Sequence, residues 1–455
     1  MKKLYKYQIE ALSKAIEHDE YLLALDMGLG KTITALHWIK YWQNKNKLDN
    51  KPAYNTFIIC DSKKVNDWEN EAMEIGLSIY KLKSLAKFNS ELRHLFSNNN
   101  GAIIIMSYNI LRNLLNSGFQ FLNPINLVID ESQVLKNPKS KLTKLIRWWS
   151  FKYAKLLLLS GDPISKGYQN LYSQMTLLNL FDKKYRYKNF INDYCRYYIP
   201  TGKHFQIING YKNTEDLLET LYLKSYFLKT EQAIELPEQR DFFINTEIPK
   251  EYADVLKDKG IIKDKSSILC DTSIKLLHTL RQLCSGYFID DKTKSIINVN
   301  DSKLSELNSL IENSTYSFSI FYNYVGELNT IKEFIKENHP DIVIYEINGQ
   351  NDQLNLAINE QKRMIVLIQY QSGARGIDGL QHKIFNQIYY SLTLSGELFK
   401  QSKKRIHRIG QNKKVNYYYL FNKNSIENKI YKTLEKSIDY TLEMFNNDFN
   451  LKGEI

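Results

Sequence analysis

Residues 21–42 read YLLALDMGLGKTITALHWIKYW, and this stretch decides the fold class. An apolar, strand-like run ends at Leu25 and a glycine-rich turn follows. Beyond the turn, Ala35, Trp38, Ile39 and Trp42 recur at the i, i+3, i+4, i+7 spacing of a helix that packs one face on a sheet. Strand, glycine turn and helix in that order open a parallel α/β unit. Gly28 and Gly30 let backbone N–H groups approach an anion closely, and the helix adds the positive end of its dipole. Lys31 can then reach outer phosphates and Thr32 can hold magnesium, with Met27 and Leu29 completing the cradle. The strict pattern GxxxxGK[ST] asks for glycine at position 25, where this chain has leucine.

Working outward, further short apolar runs read as buried parallel strands: FIIC at 57, AIIIM at 102, LVID at 127 and LLLLS at 156. The run counted as the fourth strand ends in VIDESQ, so Asp130 and Glu131 are expected at the same sheet edge as the glycine turn. Adjacent carboxylates there divide labour: Asp130 can bind Mg2+, and Glu131 can orient and deprotonate an attacking water. A second series of strands follows, with FSIFY at 318, IVIYEI at 342, MIVLIQY at 364, QIYYS at 387 and VNYYYLF at 415. Two α/β lobes result, expected at 1–234 and 235–455. Between the two series, from about 181 to 300, helical patterns dominate, and Pro237 in IELPEQ is expected to end a helix. Tyr187, Phe190 and Tyr194 fall at helical spacing and are expected to pack a protrusion. Ile426, Ile430, Leu434 and Ile438 predict a last helix capped at Asn424.

Composition narrows the class of partner. With 43% apolar and 25% charged residues, the 455-residue chain has the balance of a folded soluble protein, and its length calls for more than one core. No apolar run reaches the ~18 residues of a membrane span, and the start lacks the apolar segment of a signal peptide, so a cytoplasmic setting without membrane contact is expected. Cys60, Cys195, Cys270 and Cys284 show no CxxC spacing, which argues against a zinc site or a disulfide framework. The net charge of +12 favours a polyanionic partner.

Near the far end stands QSKKRIHRIGQ, residues 401–411. Arg405 and Arg408 are three apart, so on one helical turn two guanidinium groups aim at one point, with Gln401 a turn earlier. Such convergent forks suit a phosphate.

With these residues in hand, the chain resembles the Swi/Snf-type DNA translocases of helicase superfamily 2, over nearly its whole length, from YKYQ near the start to SIENKI near the end. The resemblance implies two RecA-like lobes with an ATP cleft between them, and ATP-driven movement along DNA, duplex favoured, by a chain expected to be monomeric. It implies that Arg405 and Arg408 act as arginine fingers, that Gln8 reads adenine, and that Gly376 and Asp378 of SGARGIDG lie near the nucleotide and the DNA strand. IICDSKKVNDW and IIIMSYNIL, with Ser107 and Tyr108, are similar to segments that contact the nucleic-acid backbone. The chain departs from the family at Ser132-Gln133, where Ala-His is usual, and at Ser160-Gly161-Asp162-Pro163, in place of Thr-Gly-Thr-Pro. Those departures keep two alternatives open: a nucleotide-gated DNA clamp with weak ATPase, and a strand-separating DNA or RNA helicase.

Overall fold

The computed structural model describes residues 3–82, 101–116, 123–149, 153–164, 167–200, 202, 206–263, 266–373 and 377–449. The chain divides into two compact units, Met1–Glu235 and Leu236–Ile455.

The first unit is built on one parallel sheet. Its strands are β1 (Glu20–Leu25), β2 (Thr56–Cys60), β3 (Ile79–Leu82), β4 (Ile103–Ser107), β5 (Ile125–Ile129) and β6 (Tyr153–Leu159); after a hairpin of β7 (Cys195–Tyr198) and β8 (Ile207–Tyr211) comes β9 (Ser225–Leu228). The sheet order is β3-β4-β2-β5-β6-β1-β9, every pairing parallel. Every residue of β2, β4 and β5 is buried, which is why each reads as a continuous apolar run. Helix α1 (Lys6–Ile16) precedes the sheet. Helix α2 (Lys31–Leu48) follows β1 and buries Ala35, Trp38 and Ile39, while α3 (Val65–Glu74) follows β2 and buries Trp68. The helix Tyr187–Tyr194 places Phe190 at the centre of an aromatic cluster with Tyr172, Phe181 and Tyr194, the packing role expected of it.

The second unit begins with β10 (Gln239–Thr246) and continues through the hairpins β11 (Gly260–Lys263) with β12 (Ser266–Leu269), and β13 (Tyr287–Ile289) with β14 (Ile296–Asn298). The main sheet is completed by β15 (Phe318–Tyr322), β16 (Val343–Ile347), β17 (Met364–Gln369), β18 (Asn386–Tyr389) and β19 (Val415–Asn422), in the order β10-β19-β18-β15-β17-β16 and again all parallel. Tyrosines fill much of its core, and several of their hydroxyls find partners. Tyr417 donates to the Lys403 carbonyl (2.6 Å), Tyr389 shares a hydrogen bond with Ser402 Oγ (3.0 Å), and Tyr419 donates to Asp241 Oδ1 (2.9 Å). The first two fix the helix Gly396–Lys403, which delivers the arginine-rich segment. Elsewhere in this unit Lys303 and Glu427 form an ion pair of 2.6 Å, their side chains 2% and 4% exposed.

Several expectations are corrected. The strand carrying Asp130 is the fifth, because β3, half-exposed and only four residues long, precedes it. The region 181–300 holds β7 to β14 as well as helices. LYLKSYF leaves its helix at Tyr222 and becomes β9, since Ser225–Leu228 pairs in register with Leu22–Leu25. Pro237 ends no helix: the preceding one is the single turn Thr230–Ala233, and residues 234–238 are irregular. The cap of the helix Ile426–Leu434 is Ser425, whose hydroxyl accepts from Glu427 N, rather than Asn424, which sits at φ 60°. That helix stops short of Ile438, which is exposed; Ser437 at φ 58° has already turned the chain.

Candidate functional site

The loops after β1, β2, β4, β5, β6 and β9 leave the carboxyl edge of one sheet, the edge at which open α/β sheets gather ligands. In the β1 loop Gly28 and Gly30 have φ of 87° and 75°, and Gly30 is the N-cap of α2. Gln8 braces this loop from α1. Its Oε1 accepts from Tyr5 N and its Nε2 donates to the Leu29 carbonyl, both at 2.9 Å. A Cβ built at Gly30 would stand 2.3 Å from Gln8 Nε2, so glycine is required there on steric as well as conformational grounds. The Leu29 side chain is fully buried, leaving only its backbone to the cradle. Met27 N donates to Asp26 Oδ1, and Asp26 Oδ2 accepts from Thr230 Oγ1 (2.9 Å), which pins the start of the loop to the segment after β9.

The Lys31 ammonium is buried and donates to the Leu25 carbonyl (2.9 Å). Burial pulls its pKa below the ordinary value, against the opposing pull of Glu131. Gly161, after β6, lies so close that a Cβ there would be 3.4 Å from Lys31 Nζ and from Met27 Cγ. Thr32, the second residue of α2, is partly exposed.

Asp130 is 2% exposed, its Oδ2 accepting from Trp68 Nε1 (3.3 Å) and Lys64 Nζ (3.4 Å). Lys64 also reaches Glu131 Oε1 (3.1 Å), while Gln133 Nε2 donates to Glu131 Oε2 (2.8 Å). Glu131 stands at φ 52°, a left-handed conformation that costs a non-glycine residue energy and that the surrounding contacts maintain. Burial alone would raise its pKa, but the charges of Lys64 and Lys31 and the Gln133 hydrogen bond hold it at about 2, so it is a carboxylate and a hydrogen-bond acceptor. From Gln133 the chain of bonds continues: Ser160 Oγ donates to Gln133 Oε1 (2.7 Å) and accepts from Asp162 N (3.1 Å). Gln133 and Ser160, two of the residues that depart from the family pattern, are thus bonded to each other. Ser132 and Gln174 extend the wiring to the Pro163 carbonyl.

The buried Ser107 hydroxyl accepts from Ile110 N at the start of the helix after β4, and Tyr108 Oη donates to the Asp130 carbonyl, supporting the carboxylate strand end.

In the second unit, Arg405 and Arg408 do converge, but by a different device. The helix stops at Lys403, and both arginines stand in turns, where their Nη1 atoms donate to one carbonyl, that of Ile377, at 2.9 and 3.2 Å. Arg408 Nη2 also meets Asp378 Oδ2 (3.3 Å), and its buried Nε has no acceptor among the described residues. Gln411 ties the turns down, its Nε2 donating to the carbonyls of Gln381, Ile384 and Ile406. Gln401, buried on the helix, donates to Glu397 Oε1 (3.1 Å). Gly376 lies outside the described residues.

The chain has a counterpart among known families: the SNF2-related domain matches residues 7–289. The chain belongs to the SNF2-related family. Its relatives include an uncharacterised ATP-dependent helicase of Mycoplasma genitalium, 23% identical over 94% of this chain and 41% of that protein. Another is the DNA annealing helicase and endonuclease ZRANB3 of Homo sapiens, 22% identical over 96% of this chain and 40% of that protein. This SNF2-related chain therefore spans about two-fifths of the length of the curated relatives it matches. Among solved structures it is similar to the Sulfolobus solfataricus SWI2/SNF2 ATPase core in complex with dsDNA, with a TM-score of 0.42, 19% identity, and coverage of 100% of this chain and 96% of that one.

Sequence reasoning missed Asp26, Lys64, Trp68 and Thr230 as site residues. Trp68 and Lys64 come from the segment read as a nucleic-acid contact, and only the fold, which brings the segment after β2 to the end of β5, reveals that they face the carboxylates. Among the described residues no group of three or more His, Cys, Asp or Glu could hold a metal. Asp130 and the Thr32 hydroxyl offer hard oxygen donors for part of a shell only, which fits a magnesium ion that keeps waters and arrives with phosphates.

Proposed function

We propose that this SNF2-related chain is a DNA-dependent ATPase that translocates on DNA, duplex favoured. The single observation that supports it most is the gathering of the glycine loop, the Asp130–Glu131 pair and the Ser160–Asp162 loop at one sheet edge, with Glu131 bonded through Gln133 to Ser160. Backbone N–H groups of residues 27–32 would cradle the phosphates, with Lys31 leaving the Leu25 carbonyl for the outer ones. Asp130 and Thr32 would hold Mg2+, which when bound neutralises charge on the phosphate oxygens. Glu131, ionised and fixed by its strained backbone, would accept a hydrogen bond from water and orient it for attack. Ser160 and Asp162 would sense the state of Glu131 through Gln133, giving the loop after β6 a way to relay hydrolysis. Arg405 and Arg408, already converging on one point within their own unit, would supply positive charge to the transition state, with the Arg408 Nε, unbonded among the described residues, as a further donor.

The names of the relatives, ATP-dependent helicases and a DNA annealing helicase, and the net charge of +12 support DNA as the polyanion. Among the described residues no helix is long and apolar enough to cross a membrane. The test is ATP hydrolysis by the intact chain and by Glu131→Gln with duplex DNA, single-stranded DNA and RNA. Strongest stimulation by duplex DNA and a variant that binds ATP without turnover are expected. Equal rates with and without nucleic acid would refute translocation, and ATP binding without stimulated turnover would favour the nucleotide-gated clamp.

A further inference from the structure

The Lys64 ammonium has no place in the chemistry above, yet it contacts both carboxylates that the chemistry needs. We propose that Lys64 is an internal counter-ion, occupying the cation position of the Asp130–Glu131 pair and exchanging with the magnesium ion of an incoming nucleotide. The inference rests on the ATPase reading and deepens it.

Burial makes the two sides of this contact unequal. Asp130 is 2% exposed and anchored by Trp68 Nε1, so its charge cannot retreat into water, and a buried carboxylate left without a positive partner is costly. Lys64 is 22% exposed and ends the short turn Ser62–Lys64 after β2, so its flexible stem can carry the ammonium into solvent at little cost. The other nearby ammonium, Lys31, is directed at the Leu25 carbonyl rather than at the carboxylates. Two negative charges are thus met directly by one mobile positive charge. A divalent ion delivered between Asp130, Thr32 and phosphates would take over that neutralisation, and Lys64 would be released together with its hold on Glu131 Oε1. While Lys64 stays, that oxygen shares its lone pairs with the ammonium and is a weaker, less available acceptor for water, so the exchange links occupation of the site to readiness for hydrolysis.

The experiment measures Mg2+ directly, without turnover. Fluorescence anisotropy of a slowly hydrolysed fluorescent ATP analogue is titrated with Mg2+ on the intact wild-type chain and on Lys64→Met, Lys64→Gln and Lys64→Arg. The two neutral variants, chosen so that one retains a hydrogen-bonding side chain should the other fold poorly, are expected to lower the half-saturating Mg2+ about fivefold, the scale of a partly exposed ion pair. Lys64→Arg should retain the wild-type requirement, and affinity in EDTA should be unchanged throughout. An unchanged or higher Mg2+ requirement in the neutral variants overturns the proposal. So does weaker binding in EDTA, which would make Lys64 a direct phosphate ligand. Failure of the wild-type chain to bind the analogue at any Mg2+ concentration would remove the nucleotide reading itself, and the proposal with it.

Discussion

The bond from Gln8 to the glycine loop permits a quantitative test of how the loop is held. Gln8→Ala removes two hydrogen bonds, to Tyr5 N and the Leu29 carbonyl. At about 0.5–1.5 kcal/mol each, and with a buried partner left unsatisfied, the loss should be about 2–3 kcal/mol. Gly30→Ala places a methyl group in a φ 75° conformation, costing about 1–2 kcal/mol. It also drives that methyl to 2.3 Å from Gln8 Nε2, which must move and give up its bond to Leu29, about 1 kcal/mol more. The double variant pays the conformational cost but has no amide to displace, so it should be destabilised by about 1 kcal/mol less than the sum of the singles. All five tryptophans, at 38, 42, 68, 148 and 149, lie in the first unit, so tryptophan fluorescence in a urea titration follows that unit alone. Strictly additive losses, or a double variant weaker than the sum, would refute a direct contact between Gln8 and the loop.

Arg408→Ala should reduce stimulated ATP turnover by a factor of about 10³ to 10⁵ while nucleotide anisotropy is retained, and the two measurements side by side separate chemistry from binding. Lys303→Met strands Glu427, whose pKa burial already raises against the pull of Lys303; about 3–5 kcal/mol should be lost in urea unfolding followed by circular dichroism, and adding Glu427→Gln should recover part of it. Asp290 accepts from Thr293 N, Thr293 Oγ1, Lys292 N and Ser267 N, and these bonds hold its carboxyl at about 2, below the ordinary 3.8. Its stabilising contribution is therefore complete above about pH 4 and disappears as pH falls through 2, so Asp290→Asn should flatten the acid limb of the urea midpoint against pH over that window.

Several of the legible strands share one property: β2, β4, β5 and β15 are buried on both faces, and a strand with no solvent face must be apolar throughout, whereas the edge strand β16 was readable from its β-branched run alone. Edge strands escape this logic. QRDFFINT is exposed along most of its length and becomes β10 only through its partner β19, and SYFL becomes β9 only because β1 lies beside it. At the site, the glycine loop and the carboxylate pair were readable because their chemistry is local to a few residues. The convergence of Arg405 and Arg408 was readable, but its cause was not. Gly410, at φ 93° with its missing Cβ facing the His382 ring at 2.3 Å, and Gln411, bonded to the Ile406 carbonyl and to two distant ones, impose turns where spacing alone suggested a helix. Lys64 was invisible as a partner of Asp130 because 66 positions separate them.

The pairing of β10 with β19 bears on how this chain is made. Asp241 and Tyr419 are bonded across 178 positions, and Phe242 and Phe243 stack on Tyr418 and Tyr419. On a ribosome adding about 5–20 residues per second, the strand that opens the second unit waits roughly 10 to 35 seconds for the strand that shelters it. The first unit has all its strands by Leu228 and can close before that wait begins. The nascent second half meanwhile displays two phenylalanines on an unpaired edge, a natural hold for a chaperone and a template for aggregation when translation stalls. Premature termination anywhere before Val415 would leave a finished first unit joined to a sheet that cannot seat its opening strand.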